Sequence, residues 1–303
     1  MSSSLYEQLN EIVPSEYIHP DEPMSRHTTL RVGGNAKFLV EIDSAEQLSK
    51  LISFLEDVKE PYYIKGNGSN LLVGDKGYNG VIIELLSKFS DIKVSGNRIT
   101  AGAGALMSRI AALALDNSLS GFEFASGIPG TIGGGVVMNA GAYDGELKDV
   151  VTQVKVMNPQ GQIRTLSNHD MKFGYRTSAV KTGPFTVIEV TLELHKAIRE
   201  DIEKKMNELN TRRRQKQPLE FPSAGSTFKR PEGYFAGKLI MDAGLRGFTI
   251  GGAAVSEKHC GFVINKHNAT AEDVYEVILE VQERVKDKFG VILEPEVIFL
   301  GSF

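Results

Sequence analysis

Two glycine-rich stretches carry the chemistry most legible in this sequence. GNGSNLL at 66–72 follows a strand-like YYIK, and its small residues leave several backbone N–H groups able to converge on one anion. A plain Gly/Asn turn fits the same residues. The stretch does not read G-x-G-x-x-G between a strand and a dinucleotide-binding helix. Nor is it a phosphate loop ending in Lys-Ser/Thr, because Leu71 and Leu72 stand where those groups belong. SGIPGTIGGG at 126–135 is more specific. Pro129 and Gly130 set a turn, and the glycines at 133–135 deny the chain any side chain over several ångströms. A flat ring system or a pyrophosphate can lie on such bare backbone; close passage of two sheets is the alternative.

Composition narrows the ligand. Lys plus Arg number 34 against 38 Asp plus Glu, a net charge of −4, which gives no general attraction to nucleic acid or anionic lipid. Cys260 is the only cysteine, so the chain has no internal disulfide and no cluster or zinc site built on several thiolates. The six histidines form no H-E-x-x-H pair, and His259 beside Cys260 reads as structural; no metal is expected. No apolar run approaches a membrane span and no leader pattern opens the chain, so the expected compartment is soluble and reducing.

The elements that must position these loops follow from periodicity. Ser44 and Gln47 form a capping box before an apolar stripe of Leu48, Leu51, Ile52, Leu55 and Val58, followed by strands at YYIK and 81–85. A hairpin is expected at 91–101 and a helix near 105–116, then strands on either side of Asn-Pro-Gln-Gly at 158–161. In VIEVTLEL at 187–194, Ile188, Val190, Leu192 and Leu194 share one face. From 197 a charged helix places Ile198, Ile202, Met206 and Leu209 on one side and ends in Arg212, Arg213 and Arg214, a solvated helix end. A long helix at 271–288 is capped by Thr270, and a last strand runs through 297–300. At 303 residues the chain is long enough to divide into lobes. The expected division is 1–85, 86–200 and 201–303, with the main boundary near 200–215.

The segments HTTLRVGG (27–34), GNGSNLL, SGIPGTIGGGVVMNAGAY (126–143), FGYRTS (173–178), AGSTFKRP (224–231), GFVIN (261–265) and LEPEV (293–297) occur in one order along nearly the whole chain. In this the sequence resembles the UDP-N-acetylenolpyruvoylglucosamine reductase family. The resemblance implies an α+β fold: a two-lobed PCMH-type FAD-binding domain, shared with the vanillyl-alcohol oxidases, followed by a C-terminal α/β substrate-binding domain. It implies non-covalent FAD, NADPH as hydride donor, a UDP-sugar enolpyruvyl ether as substrate and a cytoplasmic bacterial enzyme of peptidoglycan precursor synthesis; a monomer is expected, with an oligomer left open. Only 50 positions separate residues 176 and 226, which resembles the shorter subclass lacking a tyrosine loop.

Carried over residue by residue, Gly66, Asn67, Gly68, Ser69, Asn70 and Leu71 resemble the loop around the FAD pyrophosphate. Ser126, Gly127, Ile128, Pro129, Gly130, Thr131, Ile132, Gly133, Gly134 and Asn139 resemble the second FAD-contacting segment. Arg176 corresponds to an active-site arginine, Ser226 to a proton donor, and Glu296 to a second catalytic residue that polarises the enolic intermediate or orients a proton relay. Tyr175 stacks on flavin or substrate, or simply packs. Lys229 and Arg230 are candidate diphosphate partners, as more remotely are Arg212 to Arg214; Arg230 stands where many relatives have asparagine. Two rivals stay open on sequence: a flavin oxidase of the same superfamily, and a nucleotide-sugar-binding protein without turnover.

Overall fold

The computed structural model describes residues 4–85, 89–143 and 145–303. Residues 86–88, at the expected first lobe boundary, and Asp144 of the long glycine segment lie outside the described residues. The chain groups into two compact units. One comprises Met1–Pro20, Phe38–Asn67 and Gly80–Arg212; the other comprises Asp21–Lys37, Gly68–Asn79 and Arg213–Phe303. Two short early segments thus belong with the C-terminal residues, a grouping that no local pattern in the sequence carries.

Two larger sheets account for most of the strands in the first unit among the described residues. One has the order Ile18–Pro23, Asn35–Glu41, Tyr78–Glu84, Tyr62–Lys65, with the last two strands parallel. The helix Ala45–Asp57 buries Leu48, Leu51, Ile52 and Leu55 in the core beneath this sheet, together with Val40, Val81 and Ile83. Ser44 caps it by accepting the Gln47 N–H, while the Gln47 side chain accepts from Asp43 rather than from Ser44. Val58 does not join the stripe; it is the C-cap and 47% exposed, because Lys59 turns left-handed and takes the chain away.

The other sheet has five strands in the order Ile163–Ser167, Val151–Met157, Thr186–Glu193, Arg98–Gly102, Ile92–Ser95, all antiparallel to their neighbours. Val190, Leu192 and Leu194 are buried in one core and Glu193 is exposed, the alternation a half-covered sheet requires. Ile188 does not share their face: the register shifts there, Val187 joins their core and Ile188 packs with Met157 in the other. The helix Met107–Asp116 packs Met107, Ile110, Ala111 and Ala114 into the same core. The helix Arg199–Lys216 buries Ile202 and Leu209, but Ile198 lies outside it and is 64% exposed, so it is no part of the packing stripe.

In the second unit, the helix Ala271–Phe289 buries Val274, Val277, Ile278, Val281 and Val285 in a core shared with Leu239, Ile240 and Val263. Gly290, at φ 69°, ends it in the left-handed conformation that glycine adopts without strain. Its start is fastened twice. The Asp75 carboxylate accepts the N–H groups of Ala271 and Glu272, both at 2.9 Å, and Thr270 and Asp273 form a capping box. Asp273 also accepts the Gly252 N–H at 3.0 Å. Burial opposes ionisation of Asp273, but the Gly252 and Thr270 N–H groups and the Thr270 hydroxyl outweigh it and hold the carboxyl below its ordinary range. Asp273→Ala is therefore expected to cost about 1–2 kcal/mol in urea unfolding at pH 7. A carboxylate with a depressed folded pKa stabilises above its unfolded value. The difference between the two proteins should accordingly shrink as pH falls through the carboxylate range. No helix among the described residues is long and apolar enough to cross a membrane.

Candidate active site

The two glycine stretches meet in the first unit. The strand Tyr62–Lys65 delivers the chain to Gly66, and the short helix Ile132–Val137 begins beside it, capped by Thr131, whose hydroxyl accepts the Gly134 N–H at 3.3 Å. A Cβ on Gly66 would stand 2.3 Å from the Thr131 Oγ1, so the two loops are packed backbone to side chain. Asn67 completes the junction by donating its Nδ2 to the Pro129 carbonyl at 2.6 Å. Beneath the loop, Lys65 and Glu84 form a buried ion pair, and Lys65 also donates to the Gly66 carbonyl at 3.0 Å. Burial pushes the Lys65 ammonium below its usual range, and the Glu84 carboxylate works against that.

The resulting cleft has a cavity volume of about 130 Å³, smaller than the roughly 300–1,000 Å³ of typical small-molecule sites. Its walls include Gly66, Ala103, Thr131, Gly133, Gly134, Val137 and Val187. The three glycines are not equivalent. A Cβ on Gly133 would fall 2.8 Å from the Ala103 Cβ, and one on Gly135 would fall 2.9 Å from Leu147 and Met107. Only Gly134 is exposed, with Thr131 Oγ1 at 3.5 Å as its nearest obstacle. The glycines lie in a helix rather than where two sheets pass: 133 and 135 pack closely against neighbouring residues, and 134 leaves open backbone. Bare backbone and an apolar wall of Ala103, Val137 and Val187 suit the flat ring system of FAD. Gly134→Leu is expected to keep the melting temperature, since leaving glycine in a helix gains about 0.5–1 kcal/mol. It should lower FAD affinity at least tenfold in a fluorescence-quenching titration, on the order of 1.4 kcal/mol. Gly133→Leu should instead destabilise the fold, because its side chain overpacks the core.

Arg176 sits in a tight turn in which Gly174 and Thr177 exchange backbone hydrogen bonds of 3.1 and 3.3 Å. It adopts φ 55°, and its Nε is buried, whereas Tyr175 is 51% exposed with its ring centroid 5.3 Å from the Arg176 guanidinium carbon. The turn is tied to the helix Ile132–Val137 and the residues just after it. Ser178 donates to the Val137 carbonyl at 2.9 Å, and Asn139 donates to the Gly174 carbonyl at 3.0 Å. The Asn139 side chain lies inside the protein. It is 1% exposed, and its amide is committed to Gly174, to the Glu146 carboxylate at 2.9 Å and to the Lys148 N–H at 2.9 Å.

In the second unit, Phe228 and Pro295 form an antiparallel bridge, and the Glu296 N–H donates to the Thr227 carbonyl at 2.8 Å. That register sets the backbones of Ser226 and Glu296 on adjacent chains, with Ser226 exposed and Glu296 half-buried. Thr227 is the structural neighbour: it is buried, and its hydroxyl accepts the Val263 N–H at 2.9 Å. Asn70 donates its Nδ2 to the Glu296 carbonyl at 2.9 Å, and Leu71 begins the strand that runs parallel to Ile298–Leu300. The side chain of Asn70 therefore braces the strand that carries Glu296, and Leu71, 3% exposed, offers its side chain to the core, as does Ile132 in the first unit. Lys229 pairs with Glu294 at 2.8 Å, and the exposed Arg230 lies over the Phe235 ring at 4.0 Å. The arginine run is not wholly solvated: Arg213 is 9% exposed, while Arg212 faces the Tyr143 ring at 5.4 Å. Ser126 donates to Asn210 at 3.4 Å.

Sequence reasoning missed the clamps: Lys65 with Glu84, Asn67 with Pro129, and Ser178 with Val137. Each joins residues far apart in the chain, and only the oddity of a lysine ending an apolar strand hinted at one of them.

A cleft floored by bare backbone between two glycine loops defines a flavoprotein, and the family model for the FAD binding domain matches residues 36–167. The model for the UDP-N-acetylenolpyruvoylglucosamine reductase C-terminal domain matches residues 217–300. The chain is 51% identical over 302 residues to the UDP-N-acetylenolpyruvoylglucosamine reductase of Caldanaerobacter subterraneus subsp. tengcongensis, covering all of both chains. It is 48% identical to that of Clostridioides difficile, covering 99% of each. The crystal structure of the Thermus caldophilus reductase superposes with a TM-score of 0.81 at 34% identity, covering 94% of this chain and 98% of that one. The chain belongs to the UDP-N-acetylenolpyruvoylglucosamine reductase family.

Proposed function

We propose that this protein reduces UDP-N-acetyl-3-O-(1-carboxyvinyl)-glucosamine to UDP-N-acetylmuramate with NADPH as the ultimate donor, a cytoplasmic step in peptidoglycan precursor synthesis. The observation that carries the reading is the open backbone at Gly134 beside the Gly66–Thr131 junction, in a chain alike from end to end to the reductases. Bound FAD supplies the hydride that NADPH delivers. Gly66, Asn67 and the residues from Ser126 to Gly134 hold it. In functional terms the chain divides at about 85 and 200, with the last part gripping the sugar nucleotide.

The acceptor double bond is conjugated to a carboxylate. As hydride reaches the terminal carbon, negative charge builds on that carboxylate, and the Arg176 guanidinium, fixed in its turn, stabilises it as an enediolate. The carbon beside the ether oxygen then takes a proton. Ser226 provides it: its hydroxyl is exposed between small residues, and the enolate is basic enough to take a proton across a short contact. Glu296, braced by Asn70 and Thr227, orients this transfer. Lys229 and Arg230 bind the diphosphate, Tyr175 packs against the bound ligand, and the active species is a monomer.

The test is the product. Incubation with NADPH and the enolpyruvyl sugar nucleotide should give a sugar nucleotide heavier by two hydrogens, with one NADPH oxidised per molecule. NADPH oxidation with unchanged sugar nucleotide would mark an oxidase, and no oxidation at all a binding protein.

A further inference from the structure

The arginine proposed to meet the acceptor carboxylate does not hold its own position. Its turn hangs on the carbonyl of Gly174, and that oxygen accepts two hydrogen bonds, one from the Thr177 N–H inside the turn and one from the Asn139 amide outside it. Asn139 is buried, sits at φ 44° just past the helix Ile132–Val137, and has both amide N–H groups committed. Its two N–H bonds go to Gly174 and Glu146, and its oxygen takes the Lys148 N–H. The other end of the same short helix lines the cofactor cleft through Gly133 and Gly134. One short helix therefore connects the floor of the cleft to the turn that carries Arg176.

We propose that Asn139, together with Glu146, is a positioning device for Arg176: the amide fixes the Gly174 carbonyl and hence the turn, and the carboxylate anchors the amide. The inference rests on the reading of Arg176 as the cation that receives the acceptor's charge. An amide is required because the site needs a donor toward two oxygens and an acceptor toward one N–H, a combination that neither aspartate as an anion nor leucine provides. Glu146 stays an anion in this arrangement. The Lys148 ammonium at 2.8 Å is the chief cause of its low pKa, with the Asn139 amide and the Arg176 charge adding to it against a desolvation cost. The charged groups that face the cluster are Lys148 on the same segment, Asp149, whose carboxylate accepts the Glu146 N–H at 3.0 Å, and Arg176 from the turn; Lys181 meets the turn from the far side, at the Arg176 carbonyl.

The experiment compares wild type, Asn139→Ala, Asn139→Asp and Arg176→Ala as FAD-loaded proteins, in three readouts. These are flavin content with melting temperature, the single-turnover rate of flavin reduction by NADPH, and the rate of reoxidation by the enolpyruvyl sugar nucleotide. Asn139→Ala should keep flavin and its reduction rate but slow reoxidation by about 10²-fold, the order expected of a misplacement near 1 Å. Asn139→Asp sets a carboxylate against Glu146. One of two facing carboxyls has a raised pKa, so acid returns a donor. A protonated aspartate restores one of the two donors, so the variant's reoxidation rate relative to wild type should rise in part as pH falls from about 8 to about 5.5, whereas the deficit of Asn139→Ala stays constant with pH. A residue that merely supported the fold would lower flavin content and both half-reactions together, and that pattern would overturn the inference. A pH-independent deficit in Asn139→Asp would overturn it as well, and this variant serves if Asn139→Ala does not fold. Arg176→Ala separates the two levels. If it reoxidises at the wild-type rate, the reading of Arg176 fails; if it is slow while both Asn139 variants are normal, only the positioning role fails.

Discussion

Arg176→Ala should slow reoxidation of the reduced flavin by the enolpyruvyl sugar nucleotide by about 10²–10³-fold, the loss found when one preorganised donor to a developing oxyanion is removed. The effect is large because the charge that arrives with the hydride has to be accommodated on the acceptor carboxylate in the transition state, and a preset cation does this without reorganising. The turn itself should survive. Its backbone is closed by the Gly174–Thr177 pair and tied down by Asn139 and Ser178, none of which uses the Arg176 side chain. Melting temperature and flavin spectrum should thus stay near wild type. Arg176→Lys should recover only part of the rate, because an ammonium keeps the charge but not the planar fork that matches a carboxylate. Stopped-flow absorbance after anaerobic reduction reads both variants.

The second large effect is expected at Ser226. Ser226→Ala should leave reduction of the flavin by NADPH intact and slow reoxidation by the acceptor by about 10²–10⁴-fold, the usual contribution of a positioned general acid. The structural neighbour at this site is Thr227, which is buried and bonded to Val263 and Glu296, whereas Ser226 is exposed. Removing one exposed hydroxyl should change stability by no more than about 0.5 kcal/mol. A selective kinetic defect in a protein of unchanged melting temperature would separate proton donation from loop support. Equal slowing of both half-reactions would assign Ser226 to the loop alone.

How much of this was legible in the sequence depends on the range over which each feature acts. Helix caps and stripes act over three or four residues, and Ser44, Thr270 and the Leu48–Leu55 stripe were read where they occur. Two errors fell at helix ends: Val58 and Ile198 fit the period but lie where the chain is leaving the core. The glycine run showed that backbone had to approach something, without showing that Gly133 and Gly135 approach protein and Gly134 an open cleft; that division depends on Ala103, Leu147 and Met107 folding against it. Asn139 and Asn70 lie inside segments that resemble cofactor-binding ones, yet their amides serve the Arg176 turn and the Glu296 strand across 35 and 226 positions of chain. Contacts at that range leave no local periodic trace, so they became visible only with the fold.

In the proposed reaction a bound flavin is reduced by NADPH and returned to its oxidised state by the enolpyruvyl sugar nucleotide. Under anaerobic conditions, NADPH should bleach the visible flavin absorbance of the wild-type protein, and later addition of the sugar nucleotide should restore it in full. Absorbance that stays bleached after that addition, or a folded protein that takes up no flavin, would contradict it.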